Sequence, residues 1–106
     1  MPLIMVTSWA PFNKTNEAAK KFLEVMEKYP QESFEKSWLA GVKSDEDGIK
    51  SVWLTEIERG KLEEALNLTA KREAEYLSIE GYRFKMETLI TYEDAMPLIG
   101  LEMPSA

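Results

Sequence analysis

Aromatic and hydroxyl-bearing side chains are the residues of this chain best suited to binding chemistry. They lie in segments with strand-like alternation and could line a cavity for a flat apolar ligand, since aromatic walls with a few placed polar groups are typical of small-molecule sites. Packing in a dimer core is the alternative, because large aromatic side chains bury well at interfaces without any ligand. The candidate ligand-binding residues are Thr7, Trp9, Trp38, Trp53, Thr55, Arg83 and Tyr92.

Three polar features have both a chemical and a structural interpretation. Arg83 could bind a carboxylate or an enolate through two hydrogen bonds, although a partly exposed salt bridge is the simpler role. Asn13 could polarise a substrate oxygen at the end of the first strand, or it could satisfy its own backbone in a turn. The run Asp45-Glu46-Asp47 offers hard oxygen ligands, but it lacks the EF-hand spacing, which favours a solvated hairpin tip.

The composition excludes several catalytic classes. The chain of 106 residues contains no histidine and no cysteine. Imidazole- and thiol-dependent nucleophiles, cysteine zinc sites and histidine-ligated haem or iron are therefore excluded, and we expect neither a metal nor a cofactor. The glutamates of the second predicted helix do not form a di-iron pattern and are interpreted as a solvated face. They are Glu63, Glu64, Glu73 and Glu75.

The net charge and the hydropathy of the chain limit the kinds of partner that it can bind. The formal net charge is −6, and the few arginines are scattered. The chain therefore lacks the basic surface that a nucleic-acid backbone requires, and we expect no nucleic-acid partner. No segment has the roughly eighteen consecutive apolar residues of a membrane span, and the first residues do not resemble a signal peptide. We expect a cytoplasmic protein without a membrane partner.

The hydrophobic pattern predicts the order strand, helix, strand, strand, helix, strand. The first strand, Leu3–Trp9, is apolar on both faces, which indicates a central position in a sheet. Thr15 is the predicted N-cap of a helix that runs to about Tyr29, and Asp47-Gly48 predicts a hairpin. The other predicted elements are strands at 34–42, 49–57 and 82–92 and a helix at 61–78.

This order predicts an α+β, ferredoxin-like β-α-β-β-α-β sandwich, in which a four-stranded antiparallel sheet carries two helices on one face. We expect Ile4, Val6, Val52 and Leu54 to face the helices. The other face then carries all three tryptophans and forms an apolar patch that monomers rarely expose. A second copy is the simplest cover, so we expect a homodimer that encloses a barrel-like interior. The residues predicted for the uncovered face are Met5, Thr7, Trp9, Trp38, Trp53, Thr55 and Tyr92.

One domain is expected to include all of residues 1–106. Its last segment, 93–106, contains several apolar side chains, among them Leu98, Ile99 and Leu101. Burial of such side chains stabilises by about 1.5–3 kcal/mol each. We therefore predict a docking tail that packs onto its own sheet or onto a partner chain.

The chain resembles the dimeric α+β-barrel superfamily. The resemblance rests on the element order, the opening segment Leu3-Ile4-Met5-Val6-Thr7-Ser8-Trp9, the helix Glu17-Ala18-Ala19-Lys20-Lys21-Phe22-Leu23 and the late segment Thr91-Tyr92-Glu93-Asp94-Ala95. The pattern is closer to the small single-domain bacterial and archaeal members than to the antibiotic-biosynthesis monooxygenases. The superfamily includes cofactor-free monooxygenases, isomerases and haem-binding enzymes, several of which employ a histidine that this chain lacks.

Two functions are compatible with these observations. The first is a homodimer that binds a small apolar or aromatic ligand in a sheet-lined cavity and, if it is an enzyme, acts as a cofactor-free oxygenase or isomerase. The alternative is a non-catalytic oligomerisation or protein-interaction module. RNA binding through sheet aromatics is disfavoured, because Lys50–Thr55 lacks the required glycine-aromatic pattern and the surface is acidic.

Overall fold

Four strands form one antiparallel sheet with the order β2-β3-β1-β4. The computed structural model describes residues 1–104. The strands are β1 (Pro2–Ala10), β2 (Glu35–Asp45), β3 (Gly48–Ile57) and β4 (Arg83–Ile90). The α-helices of the described residues are α1 (Thr15–Lys28), α2 (Leu62–Ala74) and the short α3 (Tyr92–Ala95). None of these helices has the length and apolar character needed to cross a membrane.

The predicted element order is confirmed, with a short third helix added after β4. β1 pairs with β3 on one side and with β4 on the other. Its apolar residues on both faces are explained by this central position, because each face of an interior strand is flanked by two neighbours. The predicted boundaries of α2 differ, because residues Glu75–Ser78 continue as a 3-10 turn.

The start of α1 corrects the prediction for Thr15. A 3-10 turn at Phe12–Lys14 follows Pro11, and Thr15 is already the first residue of the helix. Its hydroxyl donates to the Phe12 carbonyl oxygen at 2.8 Å and so does not cap the helix. The residue in the N-cap position is Lys14, which has no side-chain cap.

Both long helices lie over the same face of the sheet. The core between α2 and the sheet centres on the buried residues Ile4, Ile57 and Ala65. A second cluster joins α1 to the 3-10 turn that follows α2, through Val25 and Tyr76 together with Ile79. The helices are therefore held to each other near one end of the sheet. The partly buried residues around the first cluster are Val6, Phe34, Leu62, Leu66 and Met86.

The register of β3 overturns the predicted face of Trp53 and Thr55. Val6 pairs with Trp53 and Ile4 with Thr55, so these residues share the helix-covered face. Val52 and Leu54, predicted to face the helices, lie on the uncovered face instead. The two faces of β3 are similarly apolar in sequence, so alternation alone did not reveal which of them is covered, and a one-residue error reverses every side chain.

Tyr92 is also not where the sequence placed it, and Trp38 lies at an irregularity of its strand. Trp38 lies at a register shift of β2, between Ser37 and Leu39, and is 49% exposed. Tyr92 is the first residue of α3, after β4 has ended at Ile90. The prediction that all three tryptophans share one uncovered face is therefore wrong.

The C-terminal segment is half-buried at Ala95 and Met96, and Asp94 forms ion pairs with the Met1 amino group and with Arg59. A 3-10 turn at Met96–Ile99 follows α3. Leu98, Ile99 and Leu101 are exposed. Residues 105 and 106 of the predicted docking tail lie outside the described residues.

The hairpin between β2 and β3 is tied to the end of β1. Its two-residue turn follows Asp45, whose carboxylate accepts a hydrogen bond from the Asp47 N–H at 3.1 Å. Gly48 has a φ angle of +134°, which L side chains rarely adopt. A Cβ atom at this position would also overlap the carbonyl oxygen of Ala10. The hairpin and β1 can approach this closely only because position 48 is glycine.

We predict that Gly48→Ala lowers the free energy of unfolding by about 2–4 kcal/mol, since backbone strain adds to steric overlap. Gly41→Ala is the matched control, because an added Cβ there meets no atom within 4 Å and the backbone φ is ordinary. Chemical denaturation of both variants tests this. Equal losses of stability would contradict the assigned contact with Ala10.

Candidate functional site

A cavity of about 670 Å³ lies between the helices and the covered face of the sheet. Its volume is within the range of about 300–1,000 Å³ that is usual for small-molecule sites. The sequence pattern predicts a cavity on the uncovered side of the sheet, inside a dimer. The structure instead places this one within a single chain, because small side chains of α1 and of the strands lie around it. These are Ala18 and Ala19 of α1 and Ser8, Ala40 and Ser51 of the sheet.

Trp53 and Thr55 are the predicted site residues that line this cavity. The ring of Trp53 lies against that of Phe22 on α1, with a centroid separation of 5.8 Å and an angle of 43° between the planes. The Trp53 Nε1 donates to the Ser37 hydroxyl at 3.0 Å. The indole is thus held by contacts with both α1 and β2.

Apolar side chains at the mouth of the cavity remain accessible to solvent. Leu23 and Val42 line the cavity and are 67% and 73% exposed. Phe22 and Met26, one helical turn apart on α1, also line it and are less exposed than Leu23. The apolar stripe of α1 therefore turns toward the sheet without being fully covered by it.

A glutamate and two tyrosines form a polar part of the cavity wall. The rings of Tyr76 and Tyr82 stack at 4.9 Å with 14° between their planes. The Tyr82 hydroxyl donates to Glu73 Oε2 at 2.5 Å. All three residues line the cavity. A carboxyl group held in this way can accept or donate a proton toward the enclosed space.

Burial shifts the pKa values of these three groups upward. It raises the pKa of the Glu73 carboxyl, against the opposing effect of the Tyr82 hydrogen bond. Burial, with a smaller effect of the Glu73 charge, raises the pKa of Tyr76 to about 12. The pKa of Tyr82 is raised by burial and then by the charge of Glu73. Both tyrosines are therefore neutral donors near neutral pH.

A buried ion pair joins α2 to the start of β2 at the cavity wall. Arg72 Nη1 donates to Glu35 Oε2 at 2.7 Å, and Nη2 donates to Oε1 at 2.9 Å. The same guanidinium donates to the carbonyl oxygens of Tyr29 at 3.1 Å and Pro30 at 3.0 Å. Both charged residues line the cavity. Their opposite charges cancel, so the pair adds no net charge to the enclosed space.

The Glu35 carboxylate is stabilised in its ionised form. Burial alone would raise the pKa of Glu35, but hydrogen bonds from Arg72 and from the Glu32 N–H, with the positive charge of Arg72, hold it below its usual range. A carboxyl with a lowered pKa stabilises the fold at pH values above its unfolded-state pKa, and this stabilisation is lost as the pH falls through the folded-state pKa.

The remaining predicted site residues are not brought to the cavity. Thr7, Trp9 and Arg83 lie on the uncovered face of the sheet, where Trp9 pairs with both Lys50 and Arg83 in the strand register. The Trp9 ring lies 5.1 Å from Arg83 Cζ and 5.8 Å from Lys50 Nζ, so the two cations flank it. Arg83 also lies 3.5 Å from an Asp47 carboxylate oxygen, as expected for a partly exposed salt bridge. Trp38 of β2 and Tyr92 of α3 are exposed and do not line the cavity.

The polar residues of the cavity were missed by sequence reasoning. Glu73 was interpreted as part of a solvated helix face, yet it is half-buried and lines the cavity. A signal was available, because Glu73 follows the buried Thr69 by four residues and so continues the buried stripe of α2. No local signal marked Tyr82 as its partner, since that contact joins two elements across a turn.

Comparisons with known proteins are limited to the fold. No protein-family profile matches the chain, and no curated protein sequence matches it. The fold is similar to a crystal structure from Deinococcus radiodurans, provisionally named an antibiotic biosynthesis monooxygenase, with 13% identity, a TM-score of 0.59 and coverage of 88% of this chain and 94% of that one. It is also similar to the de novo designed protein Foldit4, with 10% identity, a TM-score of 0.55 and coverage of 85% and 96%.

These two likenesses show a shared α+β, ferredoxin-like arrangement. Sequence identities of 13% and 10% carry no site residue from either protein to this chain. The same fold supports unrelated functions, and a designed protein among the similar structures illustrates this.

We predict that Arg72→Met lowers the free energy of unfolding by about 3–5 kcal/mol, because it leaves the buried Glu35 carboxylate without its partner. The double variant Glu35→Leu/Arg72→Met should recover most of this loss, since no charge is then buried. Denaturation of the two single variants and the double variant forms a cycle that measures the coupling. Additive effects would show that the pair does not act as a unit.

Proposed function

We propose that this chain binds a small apolar or aromatic molecule in the cavity between α1, α2 and the sheet. The observation that carries the proposal is a cavity of about 670 Å³, open to solvent at its mouth, whose lining is mostly apolar and contains a few placed polar groups. That combination is typical of small-molecule sites. The Trp53 and Phe22 rings offer flat surfaces against which an aromatic ligand can pack.

The exposed mouth supports the same proposal. Apolar side chains such as Leu23 and Val42 are solvated in the free chain. A ligand that removes apolar surface from water gains roughly 25 cal/mol for each Å² buried. The cavity therefore favours a ligand with a largely apolar surface.

If the chain is an enzyme, we propose that it isomerises or oxygenates such a ligand without a cofactor. Isomerisation requires only that a proton leaves one atom of the substrate, is held by a side chain and returns to another atom. Oxygenation would require dioxygen as a co-substrate, with the substrate itself as reductant. The shared fold with a protein provisionally named as a monooxygenase is compatible with either reaction.

We expect the neutral fluorescent probe N-phenylnaphthylamine to bind the cavity and to brighten on binding. Ser51→Phe should weaken binding at least about tenfold, because Ser51 lines the cavity and a phenyl group would occupy it. Val52→Phe is the matched control, since the next residue of β3 points to the opposite face. Fluorescence titration of the three proteins makes the measurement.

A wild-type chain that does not bind the probe would contradict the proposal. Equal weakening by both substitutions would place binding outside the cavity. If the wild-type chain does not bind the probe, the alternative function, a non-catalytic oligomerisation or interaction module, becomes the better account.

We propose further that the chain is a homodimer in which the uncovered faces of two sheets pack together. The centre of this face is apolar and half-buried, with Met5 of β1 beside Leu54 of β3. Exposure of an apolar sheet face to water is unfavourable. A second copy of the chain can bury this face by packing the same surface against it.

Charges at the two ends of this face favour one arrangement of the dimer. Lys50 and Arg83 flank Trp9 at one end, whereas Glu56 and Glu87 lie toward the other, opposite Leu3 and Met5 in the register. Lys36, paired with Glu56, is a cation at the acidic end. A two-fold axis perpendicular to the strands brings the basic end of one copy to the acidic end of the other.

We predict that light scattering gives twice the mass of the chain and that Leu54→Glu gives a monomer, because a carboxylate would then be buried between the sheets. Leu98→Glu is the control for the C-terminal segment, and we expect it to remain dimeric. A monomeric wild-type chain would contradict the proposal, and dissociation by Leu98→Glu alone would assign the interface to the C-terminal segment.

A further inference from the structure

We propose that Glu73 is the specificity residue of the cavity and that it selects a neutral aromatic ligand bearing a hydroxyl group. In this proposal a carboxylate oxygen of Glu73 accepts a hydrogen bond from the ligand O–H, and the cavity rejects ligands that carry a carboxylate. The inference rests on the proposed ligand-binding function and names the class of ligand.

The carboxylate has one oxygen available for a ligand. Glu73 Oε2 accepts from the Tyr82 hydroxyl at 2.5 Å. Within residues 1–104, no hydrogen bond engages Oε1, and no fully buried side-chain oxygen or nitrogen lacks a partner. Oε1 therefore keeps accessible surface, and Glu73 belongs to the cavity lining. The Tyr82 hydrogen bond and the stacking of Tyr82 on Tyr76 hold the carboxylate in place.

Partial burial makes an added donor favourable. The pKa of Glu73 is raised because burial removes water from its carboxylate. A ligand hydroxyl would restore one of the lost hydrogen bonds, whereas a hydrocarbon of the same shape would remove further water and restore none. Hydrogen bonds to charged acceptors are stronger than those between neutral groups.

Among residues 1–104, the cavity lining offers no free cation for an anionic ligand. Arg72 is the cationic side chain of the lining within the described residues. Its guanidinium already donates to both Glu35 oxygens and to two backbone carbonyls. An incoming carboxylate would lose its water, find this charge neutralised and meet the negative charge of Glu73.

The test compares three probes of similar shape: naphthol, naphthalene and naphthoate. Equilibrium dialysis near neutral pH measures the affinity of the full chain for each. We expect naphthol to bind at least about tenfold more tightly than naphthalene, the effect of one hydrogen bond to a charged acceptor. We expect naphthoate to bind at least about tenfold more weakly than naphthalene.

Glu73→Gln should remove the discrimination against the anion. We expect naphthoate to bind more tightly, naphthol to bind more weakly and naphthalene to change by less than about twofold, because an amide has similar size and no charge. Glu63→Gln is the matched control, since Glu63 lies on the exposed first turn of the same helix, and it should leave all three affinities unchanged.

A second variant keeps the proposal falsifiable if Glu73→Gln does not fold. Tyr82→Phe retains the carboxylate and releases Oε2, so naphthol should stay preferred and naphthoate should stay rejected. Loss of both preferences in this variant would overturn the assignment.

The outcomes distinguish failure of the role proposed for Glu73 from failure of the proposed ligand-binding function. Equal affinity of wild-type protein for the three probes overturns the role of Glu73 and leaves the proposed cavity function intact. Failure of both naphthalene and N-phenylnaphthylamine to bind overturns the proposed function itself. A shift of all three affinities by Glu63→Gln would show that the effect is not specific to position 73.

Discussion

The buried ion pair between Arg72 and Glu35 is the interaction on which the geometry of the cavity depends. One guanidinium joins α2, the carbonyl oxygens at the end of α1 and the first residue of β2. These are the elements that surround the cavity, and α1 also meets the end of α2 through the cluster around Val25 and Tyr76 and through the Lys28–Glu75 ion pair. Removing two charges from water is costly, so the pair persists only because its hydrogen bonds are nearly complete. Its contacts hold α2, the end of α1 and the start of β2 in one arrangement.

The cavity exists because that arrangement keeps small side chains opposite one another. Ala19 of α1 and Ser51 of β3 line a space that larger residues would close. The resulting cavity of about 670 Å³ is open to solvent and leaves apolar side chains exposed at its mouth, which is unfavourable unless a ligand covers them. Glu73 and Tyr82 add a carboxylate and its hydrogen-bond donor to one part of a lining that is mostly apolar.

The two faces of the sheet are suited to different tasks. The covered face encloses the cavity within one chain, whereas the uncovered face has an apolar centre and charged ends. Association through the uncovered face would leave the cavity unchanged, so ligand binding and dimerisation are physically separable. This separation differs from the expectation of a single interior shared between two copies. It follows from the register of β3, which turns Trp53 away from the uncovered face.

The sequence by itself determined the element order, the central position of β1 and the hairpin at Asp47-Gly48. These features depend on local periodicity, turn chemistry and burial on both faces of a strand, which short segments carry within themselves. Only the tertiary structure decided the face of Trp53, the register shift of β2 at Trp38 and the pairing of Glu73 with Tyr82. Each of these depends on how one element is placed against another. A residue pattern of period two or 3.6 predicts which side chains share a face. The contacts between elements decide what that face packs against.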